Sequence, residues 1–202
     1  MTDSGPHSWR RRRLLAAVGA GTVTGLAGCS GDDGENDGDV SDSDDGDEES
    51  PFLVDHPGDE PKDFENQHMC GVCTMGVVDY DDRNAQLAHE NGDGMMFCSS
   101  GCLFAYYVAP EHFDGPDSEI AGVWVTDFDT GELIDGFDAH YALEHDERRA
   151  DDPMGVDPRV YEDEEMAFEY VDEYDDLDED DVITFSEVDE EVARIYRSTR
   201  IP

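Results

Sequence analysis

Met95-Met96-Phe97-Cys98-Ser99-Ser100-Gly101-Cys102-Leu103-Phe104-Ala105-Tyr106-Tyr107 changes its period halfway along. Met95 to Phe97 is a short apolar run behind Asn91-Gly92-Asp93-Gly94, a hairpin turn signal, and reads as a strand. From Ser99 to Tyr107 the spacing is helical. Leu103, Phe104, Tyr107 and Val108 fall on one face, Ser99 or Ser100 can cap the start, and Pro110 stops it. Two cysteines bracket the strand-to-helix junction.

Working outward, Gly76-Val77-Val78-Asp79-Tyr80 and Ala85-Gln86-Leu87-Ala88-His89 read as strands, and so does Val123-Trp124-Val125 within 122–126. A turn through Asp129-Thr130-Gly131 leads to a further strand at Leu133-Ile134. The second half repeats the order loosely: a strand over 139–143, a loop at Asp152-Pro153-Met154-Gly155, a helix over 162–174 and a strand at Val182-Ile183-Thr184-Phe185. Met166, Ala167, Tyr170 and Val171 recur at helical spacing in that helix. The expected fold class is α+β. It comprises two small similar units, about 64–136 and 137–190, each of short antiparallel strands with one helix.

Of 202 residues, 54 are Asp or Glu and 12 are Lys or Arg, for a net charge of -42. Four of the basic residues are Arg10 to Arg13, so residues 29–202 hold 8 basic against 53 acidic side chains, a net charge of -45. Such a surface repels itself in dilute buffer, whereas molar salt shortens the screening length to about 3 Å. The composition fits a halophile's protein, and it makes nucleic acid a very poor partner.

Residues 1–28 read as a signal peptide. Consecutive arginines precede a weakly apolar stretch, Leu14 to Ala27, too short to span a membrane. The arginines resemble the twin-arginine (Tat) export signal, and Leu26-Ala27-Gly28-Cys29 resembles a lipoprotein box. Cys29 is the expected lipid attachment site, placing the protein outside the cell membrane and anchored to its outer face. Residues 30–51 hold almost no apolar side chains, so 29–51 reads as the lipidated cysteine and a disordered acidic tether. The remainder, 52–202, is the folded, metal-binding part.

Four further cysteines fall in two pairs, Cys70-Gly71-Val72-Cys73 and Cys98-Ser99-Ser100-Gly101-Cys102. A C-x-x-C puts two sulfurs within reach of one ion, and Gly71 permits a tight turn between them. A helix start beside the second pair favours thiolate. Met69, Met75, Met95 and Met96 crowd the same region, with His68 beside the first pair. Soft thiolate and thioether donors select Cu(I), whereas four thiolates suit Zn(II), and methionine tilts the choice toward copper. Met75 lies on the same side of an extended chain as Cys73, whereas Met95 and Met96 are read chiefly as core. Structural disulfides and a thioredoxin-like redox role are the competing uses of these thiols, but a C-x-x-C disulfide closes too small a loop to stabilise much.

The order Cys70-x-x-Cys73-x-Met75, Ala85-Gln86-Leu87, Phe97 to Cys102 and Tyr106-Tyr107 resembles the NosL family of copper lipoproteins. The resemblance continues through Val125 to Asp135, Ala139 with Tyr141, Pro153-Met154-Gly155 and Ile183-Thr184-Phe185. It implies two small α+β units and a Cu(I)-binding metallochaperone. In that family the protein delivers copper to apo nitrous oxide reductase, an enzyme of denitrification; another exported cuproprotein is the alternative recipient. Cys73, Met75 and Met154 are the ligands that the resemblance carries over, and Met154 rests on it alone. Cys98 and Cys102, followed by Pro110-Glu111-His112-Phe113, look more like the TRASH and YHS heavy-metal modules. That segment implies a zinc or heavy-metal module as the alternative.

The candidate metal ligands are therefore Cys70, Cys73, Met75, Cys98, Cys102 and Met154. No nucleophile stands beside a base, so an enzyme is not expected. His89, His112, His140 and His145 are isolated and read as surface or packing residues.

Overall fold

The computed structural model describes residues 50–202. The signal segment, Cys29 and the acidic run as far as residue 49 lie outside the described residues. The elements are β1 (Leu53–Asp55), β2 (Ala85–His89), β3 (Asp93–Phe97), α1 (Ser100–Val108), β4 (Ile120–Thr126), β5 (Leu133–Asp135) and β6 (His140–Ala142). They continue with α2 (Glu147–Ala150), β7 (Arg159–Tyr161), α3 (Glu164–Asp172), β8 (Val182–Thr184) and α4 (Glu190–Arg197). The fold is α+β, with two antiparallel sheets.

The larger sheet runs β1-β3-β2-β4-β5. Its middle strand, β2, is buried along its whole length. Register places Ala85 opposite Phe97 and Val125, and Leu87 opposite Met95 and Val123, so these six residues share one face. Gln86, opposite Met96 and Trp124, points the other way. A buried amide needs partners, and Gln86 has them. Its Oε1 accepts from Lys62 N at 2.7 Å, its Nε2 donates to Lys62 O at 2.9 Å, and His56 Nε2 lies 2.7 Å from Oε1.

The smaller sheet runs β7-β6-β8. Tyr141 is paired with Val160 and Ile183, and these join the main core, where the Tyr141 ring meets Phe104 of α1 at 5.1 Å. Ala142 and Tyr161 belong instead to a second, smaller core with Ala167, Val171 and Leu177, built on α3. Two small α+β assemblies thus meet through one aromatic layer.

Three sequence readings change. Gly76–Tyr80 is not a strand: Val78–Tyr80 is a 3-10 turn and Gly76 makes only an isolated bridge to Met69. Tertiary constraint at the neighbouring cysteines overrides the β-propensity of the Val-Val pair. Phe185 closes β8 as the start of another 3-10 turn. Helix α1 is buried around most of its girth, Leu103 to Tyr106 included, while Tyr107 and Val108 are half-buried. What covers α1 is α4, a helix absent from the sequence expectations although Val192, Ala193, Ile195 and Tyr196 recur at helical spacing. Asp189 caps α4 by accepting from Val192 N at 3.0 Å, with Glu190 and Glu191 in its first turn and Arg194 and Arg197 in its last.

Candidate metal centre

The first cysteine pair sits on a knuckle, a tight hairpin across residues 68–77. Cys70 N donates to Met75 O at 2.8 Å, Val77 N to His68 O at 3.1 Å and Thr74 N to Cys70 O at 2.9 Å. The turn needs one left-handed residue, and Thr74 supplies it at φ 65°, a strained choice for a β-branched side chain. Gly71 N donates to Met96 O at 3.0 Å, fastening the knuckle to β3. A Cβ on Gly71 would lie 2.0 Å from Met95 Sδ, so any other residue here forces the buried Met95 side chain to move. Met95 and Met96 are fully buried packing for the knuckle and sheet.

The second pair comes from the end of β3 and the first turn of α1. All four sulfurs are buried and lie within 4.8 Å of one another. Cys73 Sγ is 3.4 Å from Cys98 Sγ, and Cys98 Sγ is 3.8 Å from Cys102 Sγ. The four are free thiols. A tetrahedral ion with metal–sulfur bonds of about 2.3 Å needs sulfurs about 3.8 Å apart. The cluster therefore fits one soft ion with little movement.

Four thiols this close share their protons unevenly. Hydrogen bonding to Cys102, Cys70 and Cys73 pushes the Cys98 thiol up. Burial works against ionisation of Cys70, but bonding to Cys102 and Cys98 outweighs it and brings Cys70 down. Cys73 also comes down: Cys102 acts upward on it, while Cys70 and Cys98 act downward.

Sequence reading missed Arg197. Its side chain is fully buried; Nε donates to Cys102 Sγ at 3.1 Å and one terminal nitrogen to Ser99 Oγ at 2.7 Å. Ser99 is the N-cap of α1 without capping through its side chain, because that hydroxyl serves Arg197. Burial would lower the Arg197 pKa; Cys102 and Asp157 hold it well above the usual value. Asp157 lies 3.3 Å from the guanidinium and accepts from Gly101 N at 2.8 Å. Burial nevertheless lifts its carboxyl to about 6. The available signal was scarcity: only eight basic residues follow Cys29, so each buried one has a task.

The two methionine candidates lie on different turns. Met75 is half-buried and sits across the knuckle from Cys70, whose N donates to Met75 O at 2.8 Å. Met154 is half-buried in a turn bridged by Asp152 and Gly155. Asp152 holds that turn between two cations, Arg83 at 3.5 Å and Arg197 at 3.6 Å. Met75 and Met154 both pack against the core cluster that contains the four cysteines. His68, beside the first pair, is buried and accepts from Glu65 N through Nδ1 at 2.9 Å, apart from the sulfurs.

No curated protein matches the chain. Among solved structures, the crystal structure of the copper chaperone NosL from Shewanella denitrificans is similar, with 16% identity and a TM-score of 0.52. The match covers 65% of this chain and 97% of that one, and it supports the fold described above. The NosL family's sequence profile matches residues 61–193, which include both cysteine pairs, Met75 and Met154. On that match, over more than half its length, the chain belongs to the NosL family.

Proposed function

We propose that this chain is a Cu(I)-binding metallochaperone that holds copper outside the membrane and passes it to apo nitrous oxide reductase or another exported cuproprotein. The observation that carries the reading is the buried four-thiol cluster in a NosL-family chain, with Met75 on the same knuckle as Cys70 and Cys73. Thiolates with thioethers are the donor set that favours Cu(I) over harder divalent ions. The similar solved protein is itself described as a copper chaperone.

The ion is cargo, so its release matters as much as its capture. Cys73, at 5% exposure, is the least buried of the four cysteines, against 0% for Cys70 and Cys102. An acceptor's thiol or imidazole reaches Cys73 first and exchanges ligands there. No turnover of a substrate is involved. Export through the Tat-type signal and anchoring at Cys29 place this exchange at the outer face of the membrane. The acidic surface keeps the domain soluble in brine.

Anaerobic titration with Cu(I) against a competing chelator tests the reading. Tight one-to-one binding, lost in Cys73→Ser, is expected; an affinity equal to that of the variant would overturn it. The sulfur spacing also favours a second reading, a structural zinc site. Metal analysis of protein purified without oxidation separates the two: zinc retained under a copper-selective chelator supports the second.

A further inference from the structure

The cluster holds more thiols than Cu(I) needs, and two of them stand closer together than the rest of the geometry requires. Cys73 Sγ and Cys98 Sγ are 3.4 Å apart and join segments 25 residues distant in the chain. Cys73 is the least buried of the four cysteines. Cys102 is held as a hydrogen-bond acceptor by Arg197, and Cys70 is pinned in the knuckle through its N–H to Met75 O. Outside a cell, copper in contact with oxygen is cupric, and cupric ion oxidises thiols.

Resting on the Cu(I) reading above, we propose that the cluster also reduces cupric ion on arrival, with Cys73 and Cys98 as the reductant pair. Each thiol gives up one electron and one proton. Their sulfurs join in one disulfide, and two Cu(II) become two Cu(I). Both Cu(I) ions pass to soft acceptors, because the disulfide takes Cys73 out of the ligand set. The site is then spent until a dithiol donor reopens the Cys73–Cys98 bond by thiol–disulfide exchange. The capacity is one round per donor visit, which suits a carrier.

Geometry favours this pair over its rivals. Cys70 and Cys73 lie on one tight turn, where a bridge closes a very small loop and strains a knuckle already carrying Thr74 at positive φ. Cys98 and Cys102 are wider apart at 3.8 Å, and Cys102 would have to leave its Arg197 donor to bond with Cys98. Bridging Cys73 to Cys98 leaves that donor and the knuckle hydrogen bonds in place.

The test uses the full chain carrying Cys29→Ser, so that only the four cluster thiols react. Under strict exclusion of oxygen, two equivalents of cupric ion are added. Loss of the Cu(II) paramagnetic resonance signal, a fall from four reactive thiols to two, and a peptide cross-link between Cys73 and Cys98 are expected. Cleavage at Arg83 separates the two segments, so this cross-link is distinct from a Cys70–Cys73 bridge. In Cys98→Ser, loss of the Cu(II) signal is expected to slow at least tenfold. Retention of the Cu(II) signal with all thiols free overturns the proposal, as does a bridge mapped to Cys70–Cys73 or between chains. Supplying Cu(I) directly is the parallel arm: binding without thiol loss is expected, and no binding there overturns the chaperone reading while leaving the disulfide result to stand or fall by itself.

Discussion

Arg197 Nε donates to Cys102 Sγ across 3.1 Å, tying the last helix of the chain to the metal centre. The bond does more than cap one sulfur. The same guanidinium faces Asp157 and Asp152, so a single buried cation joins α4, the start of α1 and the turn that presents Met154. Orientation of a metal ligand by a second partner is what keeps a preformed site in shape.

Replacing Arg197 by Met should therefore cost both stability and metal affinity. Buried Asp157 loses its cation and Asp152 one of its two, and removing one member of a buried ion pair is worth about 3–5 kcal/mol. Arg197→Lys keeps the charge but loses the planar fork, so it should recover part of the stability and little of the hydrogen bond to sulfur. Denaturant unfolding and chelator competition on both variants check this. Equal stability of wild type and Arg197→Met would show that the cation is not holding these elements together.

Gly101 marks how closely α1 approaches α4. A Cβ there would lie 2.7 Å from Asp157 Oδ1 and 2.8 Å from Tyr196 Cβ. Gly101→Ala is expected to destabilise by about 1–3 kcal/mol, the usual range for overpacking. Gly131 is a control with a different cause: nothing lies near its Cβ position, and only its φ of +69° opposes alanine. If Gly101→Ala unfolds at the wild-type denaturant midpoint, the helices are not as close as described.

Much of this was legible beforehand, for local reasons. The β2–β3 hairpin and α1 announce themselves through Asn91-Gly92 and a shift from period two to helical spacing. Both cysteine pairs were visible too, with a four-sulfur site among the open alternatives, but the contact that joins the pairs was not. It depends on the Gly71 N–H to Met96 O bond, which no spacing rule encodes. Helix α4 was missed although Val192, Ala193, Ile195 and Tyr196 recur at helical spacing and Asp189, the acidic first turn and the basic last turn are ordinary capping signals. Arg197 lies 95 residues from the cysteine it contacts, so only the folded chain relates them. At Gly76–Tyr80 local preference pointed to a strand, and the knuckle imposed a turn.

Met75 separates the two candidate metals. Met75→Leu preserves the packing volume but removes the soft donor. Cu(I) affinity should fall about tenfold, which corresponds to about 1.4 kcal/mol, while zinc affinity stays within error. Met154→Leu should behave likewise if its turn delivers a ligand. An unchanged Cu(I) affinity in both variants would confine the site to sulfur from cysteine alone.

Acid stability should carry the mark of Glu144. Its carboxylate is fully buried in the pair with Arg149, whose Nε donates at 2.8 Å, and it also accepts from Tyr170 and from Asp146 N. Burial opposes its charge, yet Arg149, Tyr170 and the Asp146 amide outweigh burial and hold it below the ordinary carboxylate value of 4.5. A group lowered on folding contributes stability above its unfolded value and loses it as pH falls through the folded one. The loss therefore belongs below pH 4.5. Protonating the many surface carboxylates relieves self-repulsion over the same range and acts in the opposite direction. The difference between wild type and Glu144→Gln cancels that shared background. At around pH 7 the variant should be less stable by about 1–3 kcal/mol, the cost of disturbing a buried hydrogen-bonded charge. That gap should close as the solution is acidified, and a gap that stays constant would mean that Glu144 keeps its ordinary pKa on folding.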